Sequence, residues 1–129
     1  MAVWAHADVL DGGLNAIKTV ATKMYLIKAY TLADSYATVT TTNALNAGVT
    51  MASGDFALSS AGSNRLITTA AGKTQAANAN SGAGPNLHIA FTDGTAKVLW
   101  VTDETSDQVI TSGNTINFPQ LTYTCNQPT

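Results

Sequence analysis

The sequence predicts a mainly β protein, a jelly-roll-like fold or a related sandwich or barrel, with one short helix near its start. Short segments rich in β-branched and apolar residues follow one another at spacings of roughly ten residues, which is typical of a sandwich or barrel. Glycine turn signals separate several of them. With 129 residues, the chain has the length of one domain, and we expect residues 1–129 to form a single β domain.

The first predicted element is a helix over residues 9–19. Its apolar positions recur at spacings of four and three residues, on one helix face: Leu10, Leu14, Ile17, Ala21 and Met24. Asp8 is the expected N-cap because it stands just before these positions. Gly12-Gly13 weakens the first turns by roughly 1 kcal/mol per glycine relative to alanine.

The rest of the chain is predicted as strands, because β-branched residues favour a pleated surface. The predicted strands are residues 23–30, 37–42, 55–59, 65–69, 87–91, 97–101, 108–111, 115–118 and 121–124. Two tight hairpins are expected among them, one closed by Asp93-Gly94 and one by Ser112-Gly-Asn, each joining the predicted strands on either side. The second half of the small, polar stretch 69–85 is predicted as a loop, since its Gly and Pro residues break regular structure.

The composition excludes several classes of partner. Charged residues make up only 11% and the net charge is −2, whereas soluble domains carry roughly 25% charged residues. The six Lys and Arg residues stand singly, so they cannot form a basic patch for a nucleic-acid backbone. No apolar run approaches the roughly 18 residues of a membrane span, and the first residues lack the pattern of a secretory signal. We therefore expect neither nucleic acid nor membrane as a partner.

Candidate catalytic and metal-binding groups are few. His88 lies inside a predicted strand and is interpreted as a partly buried residue with a satisfied ring nitrogen. Asp103, Glu104 and Asp107 lack the spacing and the turn glycine of a calcium loop, so they are interpreted as a solvated turn. Cys125 is interpreted as an unreactive small residue, since no His, Lys or Arg is near it in sequence. The sequence therefore predicts no catalytic residue, no cofactor, no metal site and no enzymatic activity.

The two tryptophans have different expected roles. Trp100 lies in a predicted strand and is expected in the core. Trp4 lies in residues 1–11, which we interpret as an N-terminal arm. Two roles are equally compatible with this position: docking to a neighbouring molecule, or filling one end of the sandwich. We expect the arm to contact a neighbouring subunit, as an added strand or an anchor. The predicted interface residues are Val3, Trp4, His6 and Val9.

An ordered series of motifs runs through nearly the whole chain. The motifs are Ala2-Val-Trp-Ala-His-Ala-Asp, Met24-Tyr-Leu-Ile, Asp55-Phe, Leu87-His-Ile-Ala-Phe, Val98-Leu-Trp-Val-Thr and Ser112-Gly-Asn-Thr-Ile-Asn-Phe-Pro. In this order they resemble the capsid decoration, or cement, proteins of tailed bacteriophages. The chain departs from that family where members carry Pro-x-Trp near the carboxyl end, since it has Pro119-Gln-Leu there.

The resemblance implies a virion structural protein that binds the outer surface of the capsid between capsomers and stabilises the head. It implies the major capsid protein as partner, a homo-oligomer that is a dimer or a trimer, synthesis in the host cytoplasm, and no catalytic residues. The low charge fits this independently, because many modest neutral contacts act together through avidity. Two alternatives are a phage tail or fibre component that binds a host-surface glycan, which requires aromatic residues on exposed loops, and a small hydrolase that uses His88 with a carboxylate.

Overall fold

The structure, a computed structural model that describes residues 2–104 and 106–129, contains one short helix followed by nine strands. The helix, α1, spans Ala7–Val20. The strands are β1 (Lys23–Ile27), β2 (Val49–Thr50), β3 (Phe56–Ala61), β4 (Asn64–Thr69), β5 (Thr74–Ala76), β6 (His88–Thr92), β7 (Val98–Asp103), β8 (Thr115–Asn117) and β9 (Thr122–Cys125).

The strands form three antiparallel sheets. A four-stranded sheet has the order β2-β1-β6-β7, a three-stranded sheet has the order β3-β4-β9, and β5 pairs with β8. In the first sheet Met24 of β1 lies opposite Phe91 of β6, which in turn lies opposite Trp100 of β7. The prediction of a mainly β fold with a short N-terminal helix is confirmed.

Most of the hydrophobic core lies where the four-stranded sheet meets the three-stranded sheet and α1. Successive strand residues point to opposite faces, so alternate residues of β1 and β6 enter this core. The ring of Phe91 stacks on Trp100 with centroids 4.8 Å apart and meets Phe56 of β3 edge-on at 5.9 Å. Leu14 of α1 belongs to the same cluster. A smaller cluster, which includes Tyr25 and Ile27, covers the opposite face of the sheet.

The strand predicted at residues 37–42 is wrong. Thr38–Thr42 forms a short π-helical turn instead. Ser35 accepts a hydrogen bond from the Thr38 N–H at 3.1 Å, and the Thr40 hydroxyl donates to the Tyr36 carbonyl at 2.8 Å. Val39 is fully buried in the smaller cluster. Hydroxyl-to-backbone bonds and this burial outweigh the strand preference of β-branched residues.

The second predicted hairpin is also wrong in its pairing. The turn at residues 112–114 is present, but β8 pairs with β5, placing Ile116 opposite Gln75. Residues 108–111 form no strand; Ile110 exchanges hydrogen bonds with Ser81, whose N–H donates to its carbonyl at 3.0 Å. Residues 74–81 therefore bond to the chain on both sides of the turn, in place of the predicted pairing of residues 108–111 with residues 115–118. The sequence predicted a loop over the second half of residues 69–85 and no strand at β5.

The first predicted hairpin is confirmed. Asp93 Oδ1 accepts hydrogen bonds from the N–H groups of Thr95, Ala96 and Lys97 at 2.8–2.9 Å, and Gly94 adopts a φ of 80°. The other predicted strands lie within a few residues of those observed; the strand expected at residues 23–30 ends at Ile27.

The helix begins two residues before its predicted start, because His6 is the N-cap in place of Asp8. The His6 Nδ1 atom accepts a hydrogen bond from the Asp8 N–H at 3.1 Å. Residues 7–11 of the predicted arm thus belong to α1. Among the described residues, 2–6 precede the helix, and we call these the N-terminal segment. Met1, the first residue of the predicted arm, lies outside the described residues.

Candidate interaction surface

The N-terminal segment is tied to the carboxyl-terminal end of the chain. Gln127 acts as a clamp: its Oε1 accepts from the Ala5 N–H at 2.9 Å, and its Nε2 donates to the Ala5 carbonyl at 2.9 Å. The same Nε2 donates to the Ser63 carbonyl at 2.8 Å, and Asn64 Oδ1 accepts from the Gln127 N–H at 2.8 Å. The backbone of the segment is therefore positioned beside the β3–β4 turn.

All four predicted interface residues lie on the surface. Val3 is 50% exposed, Trp4 69% and Val9 70%, and the His6 side chain is 61% exposed. The Trp4 ring meets the His6 ring edge-on, with centroids 5.7 Å apart. The end-plug alternative for Trp4 is wrong, since its ring is mostly in solvent. Trp100, in contrast, is buried in the core as predicted.

One side of α1 carries Asp11 and Lys18, and we call it the polar flank. Both side chains are hydrogen-bonded to the chain beneath the helix. Arg65 of β4 donates to both carboxylate oxygens of Asp11, at 2.8 and 3.2 Å, and this hydrogen bond raises the pKa of the guanidinium. Lys18 donates to the carbonyls of Ser53 and Phe56 at 2.9 and 2.6 Å. These contacts fix the helix over β3 and β4.

The other side of α1, which we call the apolar flank, consists of Val9, Gly13, Ala16 and Val20. Their spacing of four, three and four residues places them along one line on the helix, beside the buried face. All four are exposed. This second line was not predicted, although the spacing of its small residues is visible in the sequence.

A cleft of about 210 Å³ runs along the apolar flank. Gly13 and Ala16 form one wall, and Leu99 of β7 with Tyr123 and Cys125 of β9 form the other. No charged side chain lines it among the described residues. Cys125, the lone cysteine, is therefore half-buried in an apolar cleft. Gln127, which binds the Ala5 backbone, lies two residues beyond Cys125 in the chain. The clamped part of the N-terminal segment therefore lies close to one end of this cleft.

A second cavity, of about 300 Å³, lies between the four-stranded sheet and β8. Leu26, Ile89 and Phe118 line its apolar part, while Glu104 and Gln108 line its polar part. The Glu104 carboxylate accepts a hydrogen bond from the Ser106 N–H at 3.2 Å.

His88 and the acidic residues Asp103, Glu104 and Asp107 form no recognisable catalytic group among the described residues. The His88 Nδ1 atom lies 3.0 Å from the Asn86 carbonyl, and its Nε2 lies 3.8 Å from Asp103 Oδ1. The structure thus brings His88 and a carboxylate together, but no hydroxyl or thiol is hydrogen-bonded to His88 within residues 2–104 and 106–129. Asp107 accepts from the Leu87 N–H at 2.8 Å, which is a structural use of that carboxylate.

Among the described residues, no group of three or more His, Cys, Asp or Glu side chains is placed to hold a metal ion. No described helix has the length and apolar character needed to cross a membrane. Comparisons with protein-family models, curated proteins and solved structures found no match to this chain. The resemblance to decoration proteins therefore stays a prediction from its own motifs.

Proposed function

We propose that the protein is a virion structural protein that binds the outer surface of a tailed-bacteriophage capsid between capsomers and stabilises the head. The observation that carries the proposal is the exposed apolar N-terminal end, where Val3, Trp4 and Val9 project into solvent. The backbone beside them is fixed by the Gln127 clamp. Exposed apolar side chains grouped on an ordered segment are a feature of protein interaction sites, and tryptophan is the residue most enriched at their energetic centres.

The electrostatics of this end of the molecule support a protein partner. Residues 2–7 carry no formal charge when His6 is neutral, and Asp8, whose side chain is 91% exposed, is the one charged residue between them and Val9. Removing residues 2–7 from water therefore costs little as long as the Asp8 carboxylate stays hydrated at the edge of the contact. Each contact is modest, but a shell presents the same site many times, so effective concentration and repetition replace a single tight site.

The proposal names two partners, the major capsid protein and further copies of the chain itself as a dimer or trimer. It also takes the fold as a β-sandwich related to the jelly roll. The contacts of Phe91 with Phe56, and of Trp100 with Tyr123 at 5.5 Å, support this because each joins the four-stranded sheet to the three-stranded sheet.

The alternative of a tail or fibre component remains the second candidate. The hairpin turns at Asp93-Gly94 and residues 112–114 carry no aromatic side chain to stack on a sugar. Trp4 is exposed, however, and an exposed indole is the group on which such binding would depend. Screening of the purified protein against a glycan array distinguishes the two, since only the second candidate predicts saturable sugar binding.

The test is a Val3→Ser, Trp4→Ser double variant, assayed by co-sedimentation with capsids stripped of this protein. Both substitutions leave the Ala5 backbone bonds to Gln127 in place. We expect the dissociation constant for the shell to rise about tenfold or more, the usual effect of truncating a tryptophan at an interaction centre.

The matched control is Leu32→Ser, which removes another exposed apolar side chain, 88% exposed, from a turn outside the N-terminal end. It should bind the shell like the wild-type chain. Wild-type affinity in the double variant would contradict the proposal, as would equal losses in the double variant and the control.

A further inference from the structure

The cavity of about 300 Å³ between the four-stranded sheet and β8 has an apolar floor. The floor consists of aliphatic and aromatic side chains that are at most 6% exposed: Leu26, Leu87, Ile89, Ile116 and Phe118. None of these side chains can hydrogen-bond to water, so the floor favours an apolar group. The volume lies at the lower end of the range of small-molecule pockets, which suits a compact molecule better than a strand or a helix.

A carboxylate stands at the edge of this floor. Glu104 directly follows β7, and its N–H donates to the Leu87 carbonyl at 2.9 Å, so the two residues lie opposite each other. Opposite residues of an antiparallel pair project to the same face, which places both side chains in the cavity wall. Among the described residues, the carboxylate accepts one hydrogen bond, from the Ser106 N–H at 3.2 Å. Since a carboxylate can accept about four, it retains capacity for a donor in the cavity.

The charge around the cavity is negative. Glu104 is the one charged side chain among its described lining residues. Asp103 and Asp107 lie one and three residues from it in the chain. The backbone of Lys73 bonds to the chain beside the cavity, but its ammonium lies 3.0 Å from Asp55 and is engaged there. A cationic occupant is therefore complementary to this site, and an anionic one is repelled.

A metal ion does not fit this arrangement. Calcium takes about six to eight oxygen ligands, whereas the described part of the chain groups no three His, Cys, Asp or Glu side chains around one point. A bare ion would also gain nothing from the apolar floor. The cation that fits is organic, with a positive group for Glu104 and an apolar body for the floor.

We propose that this cavity binds a small organic amine, in which a protonated amino group is attached to a compact aryl or alkyl body. The ammonium donates to the Glu104 carboxylate, and a hydrogen bond between two ionised groups is stronger than one between neutral groups. The body covers Ile89, Ile116 and Phe118. The cavity shares no lining residue with the N-terminal end of the chain, so this activity goes beyond capsid binding and does not depend on it.

The test is a titration of the isotope-labelled full chain with phenethylamine, followed by NMR. We expect saturable shifts of the amide signals of Leu87, Ile89, Ile116 and Phe118, with a Kd of about 0.1–1 mM for a ligand of this size. Phenethyl alcohol has the same body without the charge and should bind about tenfold more weakly. Phenylacetate carries the opposite charge and should leave these signals unchanged.

Glu104→Gln tests the carboxylate, because it removes the charge but keeps an oxygen that can accept from the Ser106 N–H. The affinity for phenethylamine should fall about tenfold, while that for phenethyl alcohol stays the same. The matched control is Asp103→Asn, which removes a neighbouring charge that is 64% exposed and lies on the other face of β7, near His88. Salt screens such an exposed charge, so the affinity should change by less than about twofold.

Three results would overturn the proposal. The first is the absence of shifts at the cavity signals up to about 10 mM phenethylamine, ten times the highest expected Kd. The second is equal affinity for the amine and the alcohol, and the third is an unchanged amine affinity in Glu104→Gln. The wild-type chain and both variants should melt at similar temperatures, which separates lost binding from misfolding. A chain that binds the amine but no capsid would contradict the decoration function alone.

Discussion

The two flanks of α1 are used in opposite ways. On the polar flank, Asp11 and Lys18 form hydrogen bonds to β4 and to the chain around the start of β3. On the apolar flank, Val9 and Ala16 are exposed and Gly13 has open space where a side chain would be. The buried face and the polar flank therefore supply the contacts that hold the helix on the fold. The apolar flank is therefore available to another molecule.

The largest loss of stability is expected from a substitution on the buried face of α1, between the two flanks. Leu14 is 1% exposed, so Leu14→Ala leaves a cavity in the core and should lower the free energy of unfolding by about 2–5 kcal/mol. The comparison variant Ala16→Ser, on the apolar flank, should change it by less than about 0.5 kcal/mol. Urea unfolding at low protein concentration measures both. Similar losses in the two variants would mean that the apolar flank contributes to the monomer after all.

A smaller loss is expected on the polar flank. Lys18→Met removes the bonds to the Ser53 and Phe56 carbonyls and should lower the free energy of unfolding by about 1–2 kcal/mol. Lys97→Met is the control, because Lys97 lies exposed at the β6–β7 turn. The same urea titration compares them. If the two variants unfold alike, the bonds of Lys18 do not hold the helix.

A gain is expected where the glycines lie. Gly13→Ala should raise the free energy of unfolding of the monomer by about 0.5–1 kcal/mol, since alanine is the better helix former and its β carbon meets no atom within 4 Å. Thermal unfolding at a concentration where the chain is monomeric measures this gain. A loss of stability would show that the monomer itself requires glycine there.

The smallest expected effect is on the pH dependence of stability. It involves Asp93, which lies outside the helix in the β6–β7 turn. Three backbone N–H donors hold the pKa of Asp93 well below its ordinary value. A depressed pKa in the folded state stabilises the fold above the unfolded pKa of about 4, and that contribution is lost as the pH falls below it. Asp93→Asn should therefore make the fall in melting temperature between about pH 5 and pH 2 shallower. The remaining slope is expected from Asp55, whose pKa is lowered mainly by the hydrogen bond from the Ala52 N–H. An unchanged slope would contradict the role of Asp93.

The sequence predicted those elements whose signals are local. Leu10, Leu14 and Ile17 indicated α1, and Asp93-Gly94 indicated the β6–β7 hairpin, because helix periodicity and turn chemistry act over a few residues. Residues 37–42 were misassigned because Val39 packs against residues of β1 and β6, outside the segment itself, and because hydroxyl-to-backbone bonds compete with strand pairing. The pairing of β8 with β5 joins segments about 40 residues apart and left no local trace.

The candidate surface was predictable only in the part that depends on local sequence. Val3, Trp4 and Val9 were predicted as interface residues because they lie in the N-terminal arm of the domain, and the structure leaves them exposed. The Gln127 clamp and the cleft depend on the approach of β9 to α1, which no local pattern encodes. His6 was placed on the surface correctly, but its role as helix N-cap was not anticipated.

The proposed function is tested most directly by saturation binding of the purified chain to capsids stripped of it, followed by sedimentation of the shells. We expect binding to saturate at a fixed copy number per shell and to raise the temperature at which the head disrupts. Absence of saturable binding, or saturation with no change in the thermal stability of the head, would contradict the proposed function in capsid decoration.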